Sequence, residues 1–262
     1  MSPVALITGA ARGIGEATAR RLCAAGWQLV LVDACKNDPC LGYPLASPDD
    51  LERVVDDCGR DRASGVVADV RDRPALQEAA NVARSRFGGL DAVVAAAGAI
   101  AGGDDAWKTS DATWDAMLAI NLTGVWNTAV VTVPVLLERQ EPRSGRFVAV
   151  ASAGGVLGLP KLAAYSAAKH GVIGLVRSLA AELAPSGITV NAVAPGSTDT
   201  VMLEASAAFY GLSSKEEFAL HHLQQRLVLA DEVAAMVSWL CSSESGGVIG
   251  AVLPVDAGMT AG

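Results

Sequence analysis

The chain is short of aromatic side chains, at 5% of 262 residues, and carries only three histidines, His170, His221 and His222, none at ligand spacing with acidic partners. Its five cysteines, Cys23, Cys35, Cys40, Cys58 and Cys241, are odd in number and scattered. That excludes a disulfide framework and reads as reduced, cytoplasmic cysteine usage. Cys35 and Cys40 have no second pair or nearby histidine to complete a metal site, so no metal is expected. Lys and Arg are outnumbered 20 to 28 by Asp and Glu, without a basic tract, and the net charge is −8. Nucleic acid and anionic membrane surfaces are therefore poor partners. No basic stretch leads into a long apolar one at the N-terminus, so a signal peptide is not expected. Polar residues interrupt each apolar stretch before the roughly 18 residues needed to span a bilayer. No membrane span is expected, and the expected location is cytoplasmic.

What is plentiful is apolar surface, 51% of the residues, enough for one large core in an α/β chain of this length. Short apolar runs at 4–7, 29–32, 65–68, 92–95, 146–151, 189–193 and 251–255 read as strands. Several are continuous rather than alternating, as in parallel strands covered on both faces. Helical patterns at 14–25, 74–87, 114–137, 164–184 and 231–241 lie between them. Alternating strands and helices imply right-handed crossovers. The expected fold is α/β: a single doubly wound Rossmann-like domain over 1–262, with a seven-stranded, mainly parallel sheet and helices on both faces. The segment 196–227 breaks the rhythm and is expected to hold two short helices near the site.

The first turn reads Thr8-Gly9-Ala10-Ala11-Arg12-Gly13-Ile14-Gly15. Glycines between a strand and a helix let a pyrophosphate approach the helix N-terminus; a tight turn without ligand is the alternative. Asp33 ends the second strand, eighteen residues after Gly15. A carboxylate there accepts from both ribose hydroxyls of NAD and repels the 2′-phosphate of NADP. Arg12 pulls the other way, but Asp33 stands where the 2′-group must lie. Asp69 is placed to accept from the adenine amino group, with Val70 packing nearby. Ala96, Ala97 and Gly98 end the fourth strand and let backbone lie against the adenosine ribose, although close packing alone also accounts for them.

Tyr165 and Lys169 stand one helical turn apart, on one face, separated by about 6 Å of rise. A cation beside a phenol favours the phenolate, and a shift from 10 to 7 needs roughly 4 kcal/mol. Ser152, arriving from another element, supplies a hydroxyl that can hold a carbonyl oxygen at the phenol. An exposed ion-bearing pair is the bland alternative.

Taken in order, Thr8-Gly9-x3-Gly13-x-Gly15, Asp69-Val70, Asn121, Ser152, Tyr165-x3-Lys169 and Pro195-Gly196 resemble the short-chain dehydrogenase/reductase family over essentially the whole chain. The resemblance implies that Tyr165 is the general acid/base, that Lys169 lowers its pKa and binds the nicotinamide ribose, and that Ser152 polarises the substrate oxygen. It implies that Asn121 holds a water linking Lys169 to solvent, and that Pro195, Gly196, Thr198 and Thr200 border the nicotinamide. It further implies a homotetramer, paired through the helices at 114–137 and 164–184. One departure stands out: Ala95-Ala96-Ala97-Gly98 replaces the family's common Asn-Asn-Ala-Gly, so a side-chain amide that ties this loop is missing.

Asp33 to Asp69 spans 36 positions, longer than family members usually need. Pro39, Gly42 and Pro44 break up the first half of the insertion at 34–58. Ser47-Pro48-Asp49-Asp50 then reads as an N-cap, a proline at N1 and acids in a first turn, with a helix at 51–58. Tyr43 to Leu51 is similar to the insertion of carveol-dehydrogenase-like, mycofactocin-associated members. In them, the resemblance implies, the loop covers the adenosine half of an NAD that stays bound and is recycled by an external redox carrier. A plain surface loop is the other reading.

The expected function is NAD-dependent interconversion of a secondary alcohol and a ketone on a small apolar substrate. Its pocket is expected from Leu157, Leu159, Leu203, Phe209, Tyr210 and Phe218. An NADPH-dependent 3-oxoacyl reductase is the enzymatic rival, and Asp33 argues against it. A non-catalytic NAD-binding regulator would break the Ser152, Tyr165, Lys169 and Asn121 set, which is complete here.

Overall fold

The computed structural model describes residues 2–261. Seven parallel strands form one sheet in the order β3-β2-β1-β4-β5-β6-β7. They are β1 (Val4–Thr8), β2 (Gln28–Asp33), β3 (Ala63–Val67), β4 (Ala92–Ala95), β5 (Arg146–Val150), β6 (Thr189–Pro195) and β7 (Val252–Val255). The connecting helices are α1 (Gly13–Ala24), α2 (Pro48–Cys58), α3 (Arg73–Phe87), α4 (Asp111–Leu118), α5 (Gly124–Leu137), α6 (Ala163–Leu183), α7 (Val201–Phe209) and α8 (Ala230–Cys241). The order reverses between β1 and β4, which opens a crevice at the carboxyl ends of those strands.

The strands are apolar on both faces because both are covered. Leu6, Val30, Val32, Val93 and Phe147 bury into one core with α3, α5 and α6. Ala5, Ile7, Leu29, Leu31 and Val148 bury into the other with α1, α2 and α8. Each fully buried leucine or isoleucine contributes roughly 1.5–3 kcal/mol. Rigid strands on two cores fix the positions of the strand ends, where the candidate residues cluster.

The helix within the insertion starts at Pro48, three residues before the expected 51. Its reciprocal cap explains the extra turn: Asp50 N–H donates to Ser47 Oγ at 3.2 Å, and Ser47 N–H donates to Asp50 Oδ2 at 2.8 Å. Leu51, Val54, Val55 and Cys58 pack inward. Gly65 lets the helix settle on β3, since a Cβ there would come 3.2 Å from Val55 Cγ2. Strand β3 begins at Ala63, two residues before the expected start, and places Asp69 just beyond the sheet edge.

The expected helix at 114–137 begins at Asp111 and is interrupted: α4 runs into a π turn, Ala119–Thr123, before α5. The interruption lies at Asn121, as π turns often do at functional positions. The expectation that no stretch is long and apolar enough for a membrane span is corrected here. Asp111–Leu137 passes by length and composition, with 61% of its apolar window buried within the protein.

Candidate active site

The glycine turn is shaped by close approach. Gly9 has φ +68°, and a Cβ on it would lie 2.7 Å from Ala97 Cα; one on Gly15 would lie 2.0 Å from Gly9 O. Larger residues at these positions would push the turn off β4. Helix α1 begins without a side-chain cap on Arg12, so its first N–H groups have no side-chain acceptor from the cap position. Asp33 closes the far side. Its Oδ2 accepts from Ala11 N–H at 3.1 Å and its Oδ1 from Cys35 N–H at 3.3 Å, which locks the carboxylate to the turn.

These residues line a cavity of about 420 Å³, together with Asp69, Val70, Ala96, Ala97, Gly98 and Thr200. Val70 is fixed by helix α5. Asn127 Nδ2 donates to Val70 O at 2.9 Å, and Gly124 allows the contact, because a Cβ there would sit 2.5 Å from Val70 Cγ2. Asp69 faces the same cavity but is already engaged. Arg71 Nη2 bonds Asp69 Oδ2 at 2.6 Å, and Arg71 Nη1 bonds Asp38 Oδ2 at 2.7 Å. Burial works against the charge on both carboxyls, but the arginine and backbone N–H groups hold each below its usual range. Sequence reading missed Arg71 and Asp38, since no spacing rule pairs residues 33 positions apart.

The first half of segment 34–58 borders this cavity through Ala34, Lys36 and Asp38, while α2 packs on the core. Leu45 and Ala46 also line the cavity. Arg12 Nη1 donates to Pro44 O at 2.8 Å, which directs the guanidinium toward the cover rather than toward Asp33.

A second cavity, about 570 Å³, holds Asn121, Ser152, Tyr165, Lys169, Pro195, Gly196, Thr198 and Thr200 along its lining. Ile14, Ala96, Gly98, Thr200 and Met202 line both, so the two are chambers of one crevice. Ser152 follows β5 and caps a short 3-10 turn, accepting from Gly154 N–H at 3.0 Å. Helix α6 carries Tyr165 and Lys169. A Cβ on Gly154 would lie 3.3 Å from Tyr165 Cε1 and 3.5 Å from Ser152 Oγ, so the two side chains meet above a bare backbone.

The protonation of this pair differs from the expectation for a phenol beside a cation. Burial pushes the Tyr165 phenol up to about 12, with the Ser152 hydroxyl acting in the opposite sense. Burial brings Lys169 down to about 8. Lys169 Nζ stands 5.8 Å from the Tyr165 ring centroid and donates to Val150 O at 2.9 Å. In the protein alone, desolvation sets the direction for both groups.

Asn121 is 0% exposed and fully committed. Its Nδ2 donates to Ala99 O at 3.0 Å and Met117 O at 3.1 Å, and its Oδ1 accepts from Ala99 N–H at 3.1 Å. The loop that lacks the family's amide is thereby held from outside, with Ala97 N–H also donating to Thr8 Oγ1 at 3.2 Å. Asn121 Oδ1 and Lys169 Nζ face a common space at Gly98, where a Cβ would lie 3.1 and 3.5 Å from them.

Of the expected pocket residues, Leu159, Leu203, Tyr210 and Phe218 line the second chamber. Leu157 instead faces solvent, and Phe209 packs beside Gly103. Ile100, Leu162, Met202 and Met259 complete the apolar wall; they arrive from distant positions that carry no motif.

Comparison with known proteins places the chain in a family. A family profile described as Enoyl-(Acyl carrier protein) reductase covers residues 9–260. The (-)-trans-carveol dehydrogenase of Rhodococcus erythropolis is 39% identical, over 98% of this chain and 97% of that one. The cis-4-hydroxycyclohexanecarboxylate dehydrogenase of Sinomonas cyclohexanicum is 37% identical, over 98% and 96%. The crystal structure of carveol dehydrogenase from Mycobacterium avium in complex with NAD superposes with a TM-score of 0.93 at 37% identity, covering 99% of this chain and 98% of that one. The chain belongs to the short-chain dehydrogenase/reductase family.

Proposed function

We propose that the chain is an NAD-dependent oxidoreductase that interconverts a small, apolar, ring-bearing secondary alcohol and its ketone. The observation that carries this reading is the junction of the chambers: a glycine cradle with Asp33 opens, through Gly98 and Thr200, onto Ser152, Tyr165 and Lys169. The cradle fits NAD because its glycines leave no room for a Cβ and because the N-terminus of α1 lacks a side-chain cap.

Gly9, Gly13, Ile14 and Gly15 would hold the pyrophosphate, Asp33 the ribose hydroxyls, Asp69 and Val70 the adenine, and Ala96, Ala97 and Gly98 the adenosine ribose. Pro195, Gly196, Thr198 and Thr200 would border the nicotinamide. When bound, NAD supplies the hydride acceptor for alcohol oxidation and, reduced, the donor for ketone reduction.

Tyr165 takes the hydroxyl proton of the alcohol, or returns it to the ketone oxygen. Ser152 holds that oxygen at the phenol. Lys169 contributes positive charge to the phenolate and binds the nicotinamide ribose. Asn121 would hold a water that links Lys169 to solvent, the route for the proton. An apolar wall of Ile100, Leu159, Leu162, Leu203 and Phe218 favours a compact hydrocarbon ring. Carveol, named for one relative, is an alcohol of that kind; hydroxycyclohexanecarboxylate, named for another, shares the ring-borne secondary alcohol but adds a carboxylate.

The cover over the first chamber supports NAD that remains bound between turnovers, with an external redox carrier of the mycofactocin type to recycle it. Asp33, locked to the glycine turn, and Arg12, turned to Pro44, favour NAD over NADP and weigh against the 3-oxoacyl reductase reading. Exposed Trp114, Trp126 and Val130 on α4 and α5 support a homotetramer paired along that face. The test is the Tyr165→Phe variant: turnover of carveol is expected to vanish while NAD content, read by native mass spectrometry, stays at the wild-type level. Undiminished turnover in the variant overturns the mechanism.

A further inference from the structure

The loop at 97–100 is the partition between the two chambers. Ala97 and Ala99 line the first, Ile100 lines the second, and Gly98 lines both. It is fastened at alternate points. Thr8 on β1 and Asn121 in the π turn accept from Ala97 N–H and Ala99 N–H. The third fastening comes from the segment that covers the cofactor chamber: the Tyr43 hydroxyl accepts from Ile100 N–H at 3.0 Å.

Tyr43 is 8% exposed. It packs, with Leu41, in one apolar cluster with Ala99, Ile100, Met117, Leu162 and Tyr165. On its other side lies the Arg12 guanidinium, itself part of the lining of the cofactor chamber, 5.9 Å from the ring centroid and bonded to the next residue, Pro44. One side chain therefore touches both the cover and the wall beside the proton donor. We propose that Tyr43 is a positioning residue that couples the cover over the cofactor to the wall of the substrate chamber, so that occupancy of one chamber alters retention in the other. This rests on the reading that segment 34–58 closes over bound NAD.

The chemistry supports a coupling rather than a simple brace. Burial raises the Tyr43 pKa, so the phenol stays neutral and accepts a neutral bond that can be broken and remade without moving a charge. Lifting the cover must withdraw this acceptor from a buried backbone N–H, and a ligand pressed against Ile100 keeps that N–H in place. Coupling of this kind is reciprocal.

The experiment measures NAD⁺ release from purified wild-type, Tyr43→Phe and Arg12→Ala proteins, with and without saturating carvone, the ketone of carveol, which cannot react with oxidised cofactor. In the wild type, carvone is expected to slow release by at least about fivefold, the low end of the usual range of coupling. Tyr43→Phe keeps the ring and removes the acceptor. Release is expected to quicken about tenfold, and the carvone effect to fall toward one. Arg12→Ala loosens the cover from the other side, so release quickens while the carvone effect persists. A Tyr43→Phe protein that retains the full carvone effect, or a wild type that shows none, overturns the coupling. Rapid exchange of NAD by the wild type on a desalting column would overturn the covered-cofactor reading instead, and the ratio of rates with and without carvone would still decide the role of Tyr43.

Discussion

Lys169 Nζ donates to the carbonyl of Val150 at 2.9 Å, and burial brings its pKa from 10.5 down to about 8. The ammonium is held at the end of β5 at a cost to stability. Between those two values the unfolded chain binds more protons at this position than the folded one, so stability rises with pH across that window. Lys169→Met should lose most of its activity yet be more stable than wild type at pH 7. Its advantage should shrink as pH rises from 8 toward 10, before Tyr165 begins to titrate in the unfolded chain. Denaturant unfolding of the cofactor-free proteins across this range reads the difference. An advantage that does not change with pH would show that the lysine carries no buried charge.

Tyr165 titrates at about 12 in the protein alone, because burial disfavours its phenolate. Oxidised NAD brings a positive ring into the same crevice, which favours the phenolate and lowers the pKa. Alcohol oxidation should therefore increase with pH with a midpoint well below 12, whereas an ultraviolet titration of the cofactor-free protein should leave this phenol protonated through that region. The midpoint should move upward in Lys169→Gln.

The carboxylate of Asp33 is oriented by Ala11 N–H and Cys35 N–H. Its loss should raise the KM for NAD by roughly ten- to a hundredfold, the range for a lost hydrogen bond to a charged group, while that for NADP falls or holds. Steady-state kinetics of Asp33→Ala with both cofactors measures this. A proportional loss for the two would show that Asp33 supports the turn without choosing the cofactor.

Arg71 joins Asp69, beside the adenine position, to Asp38 in the cover. Asp38 is 8% exposed, so Arg71→Ala leaves a buried carboxylate without its partner and should loosen the segment. Release of NAD should quicken about tenfold or more, by the time course of cofactor loss after buffer exchange.

Much of the fold was legible because its signals are local. Apolar runs at 4–7 and 29–32 needed no distant partner to read as buried strands, and Ser47-Pro48 marked a helix start that the reciprocal Asp50 cap extends. Edge strand β3 was misplaced by two residues because Val67 is exposed and the pattern carries little contrast. The π turn at Asn121 left no trace in composition. The proposed trio of Ser152, Tyr165 and Lys169, which shares one cavity, was legible through spacing, and the apolar wall was not: Ile100, Leu162, Met202 and Met259 come together only in the folded chain. The loop after β4, which lacks the family's amide, is likewise held by residues far apart in sequence: Thr8, Asn121 and Tyr43 accept from its backbone N–H groups.

The most direct test of the proposed chemistry is a single turnover. Purified enzyme carrying its own NAD is mixed with excess carveol in the absence of any acceptor, and the absorbance of reduced nicotinamide is followed. The expected result is about one equivalent of reduced cofactor per cofactor-loaded site in the wild type, and a rate lowered by roughly 10²–10⁴ in Tyr165→Phe at equal NAD content, the contribution of a general acid/base. Reduction at the wild-type rate in Tyr165→Phe would contradict the assignment of proton transfer to Tyr165.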